Sequence, residues 1–177
     1  VGLEAGGYYE LREGHPEIGQ VARPARGDPR IGSEPSPSAT KAEVATDSRT
    51  RVRRFWELQR AGMNALKVDT DPPKAIRLLR DALAIDPNHQ DSRYYLAQAL
   101  VGTGDTESAL RELTILQGVA PASHRAWQQW GILRAQSATD PGHLIAAEDA
   151  LQRAYRLNPE ETGALLALAA VALMRGQ

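Results

Sequence analysis

The residues of this chain that could do chemistry are His15, His89, His124 and His143, the acidic pair Glu160-Glu161, and the cluster Arg49, Arg51, Arg53, Arg54 and Arg60. Histidines hold a metal when a second ligand shares their helix face at short, fixed spacing. None of the four has one, and His89 and His124 stand just after prolines, where a surface-loop residue is the expectation. There is no cysteine, so no disulfide framework, thiol nucleophile or sulfur-ligated metal. Glycine-rich phosphate loops are absent. Glu160-Glu161 suits the positive end of a following helix better than an acid–base pair. The arginine cluster reads as the wet face of a helix. The sequence therefore predicts a chain that is not an enzyme, takes no cofactor or metal, and has no small-molecule substrate.

Bulk properties narrow the partners. A net charge of −1 does not indicate nucleic acid or an anionic membrane. No apolar run reaches the roughly 20 residues of a membrane helix, so no membrane insertion is expected. No secretory signal peptide is visible. The chain opens at Val1, which fits removal of an initiator, a cleaved leader or a fragment. Localisation stays open, with export following if Val1 marks a cleaved leader. The partner that remains is another protein or a copy of this one.

The elements that would carry such a surface repeat. Pro87 and Pro121 stand 34 residues apart, and Pro121 and Pro159 stand 38 apart. Gly62, Ala97, Gly131 and Ala169 recur at one place on each first helix of a pair, and Ala75, Ala109 and Ala147 on each second helix. Small residues at a crossing let two helix backbones approach to the short end of the usual interaxial range. Large residues three and four positions away fill the groove. Asp71-Pro72 and Asp140-Pro141 read as an N-cap followed by proline at the first helical position, and Asp105-Thr106 as a cap without proline. Asn158-Pro159-Glu160-Glu161 reads as a cap with two carboxylates for the last helix.

Trp127, Gly131, Ala147, Ala154 and Pro159 fall in the register W-x2-L-G-x2-Y…A-x3-F…P, and the two preceding segments follow it more loosely. The chain thus resembles the tetratricopeptide repeat family from about residue 55 to its end. Arg134 replaces the family's tyrosine, and Leu116 one of its small residues. The resemblance implies an all-α, right-handed superhelical stack, an α-solenoid with repeats at about 55–89, 90–123 and 124–161 and a half repeat at 162–177. It also implies a concave groove lined by the first helices, here Trp56, Gln59, Met63, Tyr94, Gln98, Gln128 and Ile132, offered to a peptide or helix. Family members that grip a chaperone's terminal carboxylate use lysines and asparagines at positions occupied here by Gln59, Met63, Tyr95, Arg125 and Gln129. Only Arg125 has the right character, so that function is not expected.

Two ends stand apart. Residues 1–40 are rich in Gly, Pro, Ser and Arg and read as an irregular, extended or disordered arm, since few large apolar residues offset the entropy of ordering. Its anchors would be Tyr8, Tyr9 and Leu11; Ser36, Ser38 and Thr40 suit O-glycosylation if the chain is exported. Thr40-Lys41-Ala42-Glu43 fits a capping box opening a lead-in helix or linker over 41–54, with a break near Asp47-Ser48. At the other end, residues 164–174 carry no polar side chain, and a helix apolar all round is normally buried. Leu165, Leu166, Leu168, Val171, Leu173 and Met174 would form an assembly surface. The expectation is a fragment of a longer repeat protein, cover by another subunit with filament growth, or cover by the arm.

Overall fold

A computed structural model describes residues 41–176 of the 177-residue chain. The arm, with Tyr8, Tyr9, Leu11, Ser36, Ser38 and Thr40, lies outside the described residues. Those described form seven helices and no strand: α1 (Lys41–Lys67), α2 (Pro72–Ile85), α3 (Gln90–Gly102), α4 (Thr106–Val119), α5 (His124–Gln136), α6 (Pro141–Leu157) and α7 (Thr162–Met174). Each packs mainly on its chain neighbours, and α1 also meets α3 and α5 meets α7. This is an all-α solenoid of helix pairs. No helix among the described residues is long and apolar enough to cross a membrane.

Helix starts follow the local chemistry. The Asp71 side chain accepts from Lys74 N at 3.0 Å, Asp105 from Ser108 N at 3.1 Å and Asp140 from His143 N at 3.1 Å. Each oxygen satisfies one of the backbone donors orphaned at a helix start. Asn158 closes α6 rather than opening α7, whose N-cap is Glu161 without a side-chain cap bond. The α3–α4 turn passes through Gly104 at φ +79, one residue before its N-cap. In the α1–α2 turn the same place is held by Thr70 at φ +51, a region β-branched residues rarely enter. α1 runs without a break through Asp47-Ser48. Residues 45–54 of it are exposed, including all four arginines there, and burial begins at Phe55.

Packing rests on a repeated small-against-large pair. Ala75, Ala109 and Ala147 are fully buried, and so is the leucine four residues on: Leu79, Leu113 and Leu151. Each such leucine contributes about 1.5–3 kcal/mol of burial. Opposite stand Gly62, Ala97 and Gly131, all buried. A Cβ on Gly62 would lie 2.7 Å from Leu79 Cγ, and one on Gly131 2.7 Å from Leu151 Cγ and 3.0 Å from the Ala147 carbonyl oxygen. Backbone approach there leaves no room for a methyl group. Ala169, the matching position on α7, is exposed, because no described helix follows to pack on it.

Candidate functional site

The first helices α1, α3 and α5 carry the residues expected to face a partner. Trp56 is half-exposed at 50%. Gln59, by contrast, is buried at 8%, and its Nε2 donates to Met63 Sδ at 2.7 Å. It supports Met63 from beneath rather than meeting solvent, because packing of α1 on the stack takes up that face. Gln98 Nε2 donates to Tyr94 Oη at 3.1 Å, and the Tyr94 ring stands edge-on to Tyr95 at 5.7 Å between centroids. Burial pushes the Tyr94 phenol above its ordinary value, against the opposing pull of Arg125, so it stays neutral. The Arg125 guanidinium lies 5.8 Å from that ring's centre. Lys67 covers Tyr95 more closely, with Nζ 2.9 Å from Oη and 4.3 Å from the centroid. Gln128 abuts α7, where a Cβ on Gly163 would fall 2.4 Å from its Nε2. Ile132 packs beside Ala135, Ala147, Leu151 and Val171. The row is therefore half-buried and braced from within.

His15 lies outside the described residues; the other three histidines have structural partners that spacing alone did not reveal. His89 is the N-cap of α3, its Nδ1 accepting from Ser92 N at 3.1 Å, and its ring lies 4.7 Å from Phe55 and 5.6 Å from Trp56. It is half-buried rather than a bare loop residue, and with Val52, Phe55, Trp56 and Ile85 it walls a cleft of about 340 Å³. His124 Nε2 meets Glu161 at 2.7 Å, which occupies the carboxylate that would otherwise cap α7. His143 Nε2 lies 3.2 Å from Asp140. No three His, Cys, Asp or Glu residues gather into a metal site among the described residues.

On α7 the apolar set divides. Leu166 (70%), Leu173 (77%), Met174 (58%) and Leu165 (43%) are exposed. Val171 is buried at 1% against Ala135, Ala147 and Leu151, and Leu168 packs partly with it. Val171 therefore leaves the open surface, because α7 turns one face onto α5 and α6.

One recurrent link escaped the sequence reading. Trp127 Nε1 donates to the carbonyl of Pro121 at 3.0 Å, and Arg93 Nη2 donates to that of Pro87 at 2.5 Å. Each donor lies six residues beyond the proline that closes the preceding segment. Arg93 so takes over the tryptophan's bond, while its Nη1 pairs with Glu112 at 2.5 Å. The signal available was the fixed offset from proline; the change from indole to guanidinium hid it.

Comparison with known proteins finds the same repeat geometry elsewhere. Residues 69–130 match the tetratricopeptide repeat family model. Solved structures of the same fold include the first TPR of Spaghetti (RPAP3) bound to the HSP90 peptide SRMEEVD. It is 16% identical at a TM-score of 0.65, over 71% of this chain and 95% of that one. MamA is 15% identical at a TM-score of 0.65, over 76% of each chain. The second TPR domain of human RPAP3, in complex with the HSP70 peptide SGPTIEEVD, is 17% identical at 0.61, over 68% and 97%. No curated protein sequence matched the chain.

Proposed function

We propose that this chain is a non-catalytic protein-interaction module whose first-helix row holds an extended or helical segment of another protein. The observation that carries this is the braced row itself. Met63, Tyr94, Gln98, Gln128 and Ile132 sit half-buried on three successive first helices, held by internal bonds such as Gln98 to Tyr94. Apolar and aromatic groups anchor a ligand's side chains and amides pair with its backbone. Prior bracing lowers the ordering cost of binding. Fold neighbours bound to chaperone peptides support a peptide ligand. Capture of a terminal carboxylate is not the favoured mode here, since Gln59, Met63, Tyr95 and Gln129 bring no cation beside Arg125. The test uses peptides selected from a displayed random library on the wild-type chain. Met63→Ala with Gln98→Ala is expected to weaken their binding at least about tenfold, with retained helical circular dichroism at the assay temperature as the check on folding. Equal binding by the double variant places the ligand elsewhere and defeats the reading.

A second reading is favoured by the four exposed apolar side chains of α7. There the chain is a structural subunit that assembles with copies of itself, through this helix and the arm, into a filament if the contact does not close. Sedimentation velocity across a concentration series tests it. Assembly that grows with concentration and vanishes in Leu166→Glu with Leu173→Glu is expected; a monomer at every concentration rules it out.

A further inference from the structure

The second helices leave a furrow away from the first-helix row, and its floor is aromatic. Trp130 of α5 separates two cavities. One, of about 410 Å³, opens against α4 beside Leu110 and Ile115; the other, of about 370 Å³, opens against α6 beside Trp127 and Ala150. Each has room for a branched apolar side chain. Both indole N–H groups are used internally, Trp127 on the Pro121 carbonyl and Trp130 on Thr114 Oγ1 at 3.1 Å. The rings are thereby fixed and offer carbon surface without a further ordering cost.

The charge around them is one-sided. Arg111 and Arg134 line the first cavity and Arg153 and Arg156 the second, against Glu107 and Asp149. None of the four arginines is in an ion pair among the described residues. Arg153 instead lies over the Trp127 ring, 4.2 Å from its centre. Two donors at the cavity walls, Arg134 Nε and Gln117 Nε2, are buried without an acceptor. Four arginines against two carboxylates leave this surface net positive, with two buried donors still lacking acceptors. Tryptophan and arginine are also the residue types that dominate binding energy at protein interfaces.

We propose that this furrow is a second docking surface, separate from the first-helix row, for an acidic protein segment that seats one apolar side chain on either side of Trp130. A nucleic acid is the poorer fit. Its backbone needs continuous cationic lining, which Glu107 and Asp149 interrupt.

The three tryptophans make the test direct, since each gives one indole N–H signal in a nitrogen-15 spectrum of the full chain. A synthetic leucine–glutamate peptide is titrated in, with its leucine–lysine counterpart and oligothymidylate as comparisons. The Trp127 and Trp130 signals are expected to move with the glutamate peptide while that of Trp56 stays. Arg111→Glu with Arg156→Glu, both at exposed positions, is expected to weaken this binding at least about tenfold at low salt, with the Trp56 signal unchanged as the check on folding. The proposal is overturned if the glutamate peptide moves only the Gln98 and Gln128 amide signals, or if the lysine peptide binds equally well. Displacement of the peptide by oligothymidylate from the same two signals would assign the furrow to nucleic acid. Movement of those signals with protein concentration alone would assign it to a second copy.

Discussion

Adding one methyl group should have opposite effects at two glycines, and the difference follows from the distances. In Gly131→Ala the new Cβ would stand 2.7 Å from Leu151 Cγ and 3.0 Å from the Ala147 carbonyl oxygen. Leu151 is fully buried and Cγ is its branch point, so it moves only by leaving its rotamer. The carbonyl belongs to α6 and moves only with the helix. Overpacking of this kind costs about 1–3 kcal/mol, and an immobile neighbour puts it near the top of that range. Helix propensity returns about 1 kcal/mol for alanine over glycine. The net loss is about 2 kcal/mol, which lowers a urea midpoint by about 1 M for a slope near 2 kcal/mol/M. Gly118→Ala on α4 meets nothing within 4 Å and keeps only the propensity gain. Its midpoint should rise by about 0.3 M, the gain being reduced near the helix end. A third variant isolates the cause. On a Leu151→Ala background the Gly131 methyl enters vacated space, so the two substitutions should couple by up to about 3 kcal/mol in the favourable direction, the overpacking cost that is removed. The assay is helical circular dichroism followed through urea for all four variants. Equal shifts at Gly131 and Gly118, or additive behaviour of Gly131→Ala with Leu151→Ala, would refute close backbone approach as what fixes the α5–α6 crossing.

Other expectations concern single sites. Thr70→Gly should stabilise the chain by about 1 kcal/mol, since it relieves a β-branched residue at φ +51; thermal melting checks it. Val171→Ala should cost about 1–2 kcal/mol and Leu173→Ala less than about 0.5 kcal/mol, because only the first is buried; urea midpoints of the two decide whether α7 docks as described. Hydrogen bonds from Ser108, first its hydroxyl and then its backbone N–H, hold the Asp105 carboxyl below the usual carboxylate range. That stabilisation is complete above the ordinary carboxylate value and is lost as pH falls through the depressed one. Asp105→Asn should therefore show a shallower loss of helix signal than wild type on acid titration.

The fold was legible because its determinants are local and periodic. Proline after each second helix, a small residue at each crossing and an aspartate before Ser108, Lys74 and His143 all act within a few residues of where they are read. The leucines that seat against Gly62 and Gly131 follow their alanines by one helical turn, so the packing partner was also in the pattern. Tertiary substitutions were not. Arg93 stands where indole stands in the next repeat, and only the shared carbonyl partner shows that the two do one job. Gln59 looked like a groove amide by register, yet packing buried it, because register gives direction from a helix axis and not the depth of the neighbouring helix.

The same distinction explains why the candidate sites were only partly legible. A periodic constraint fixes where backbones meet and leaves the faces between them free to vary. Those faces carry both proposed docking surfaces: Tyr94 with Gln98 on one side, Trp127 and Trp130 among four arginines on the other. Register placed Tyr94 and Gln98 on the first-helix row, whereas the tryptophan and arginine set does not repeat from one helix pair to the next, so period could not point to it. Trp127 belongs to the repeat pattern, but its joint role with Trp130 in walling two cavities needs α4 and α6 in place. The furrow arises because α4 and α6 both pack on α5 and do not close over its tryptophans. The ligand preference proposed for it rests on charges placed by three helices, a property that no single stretch of sequence contains.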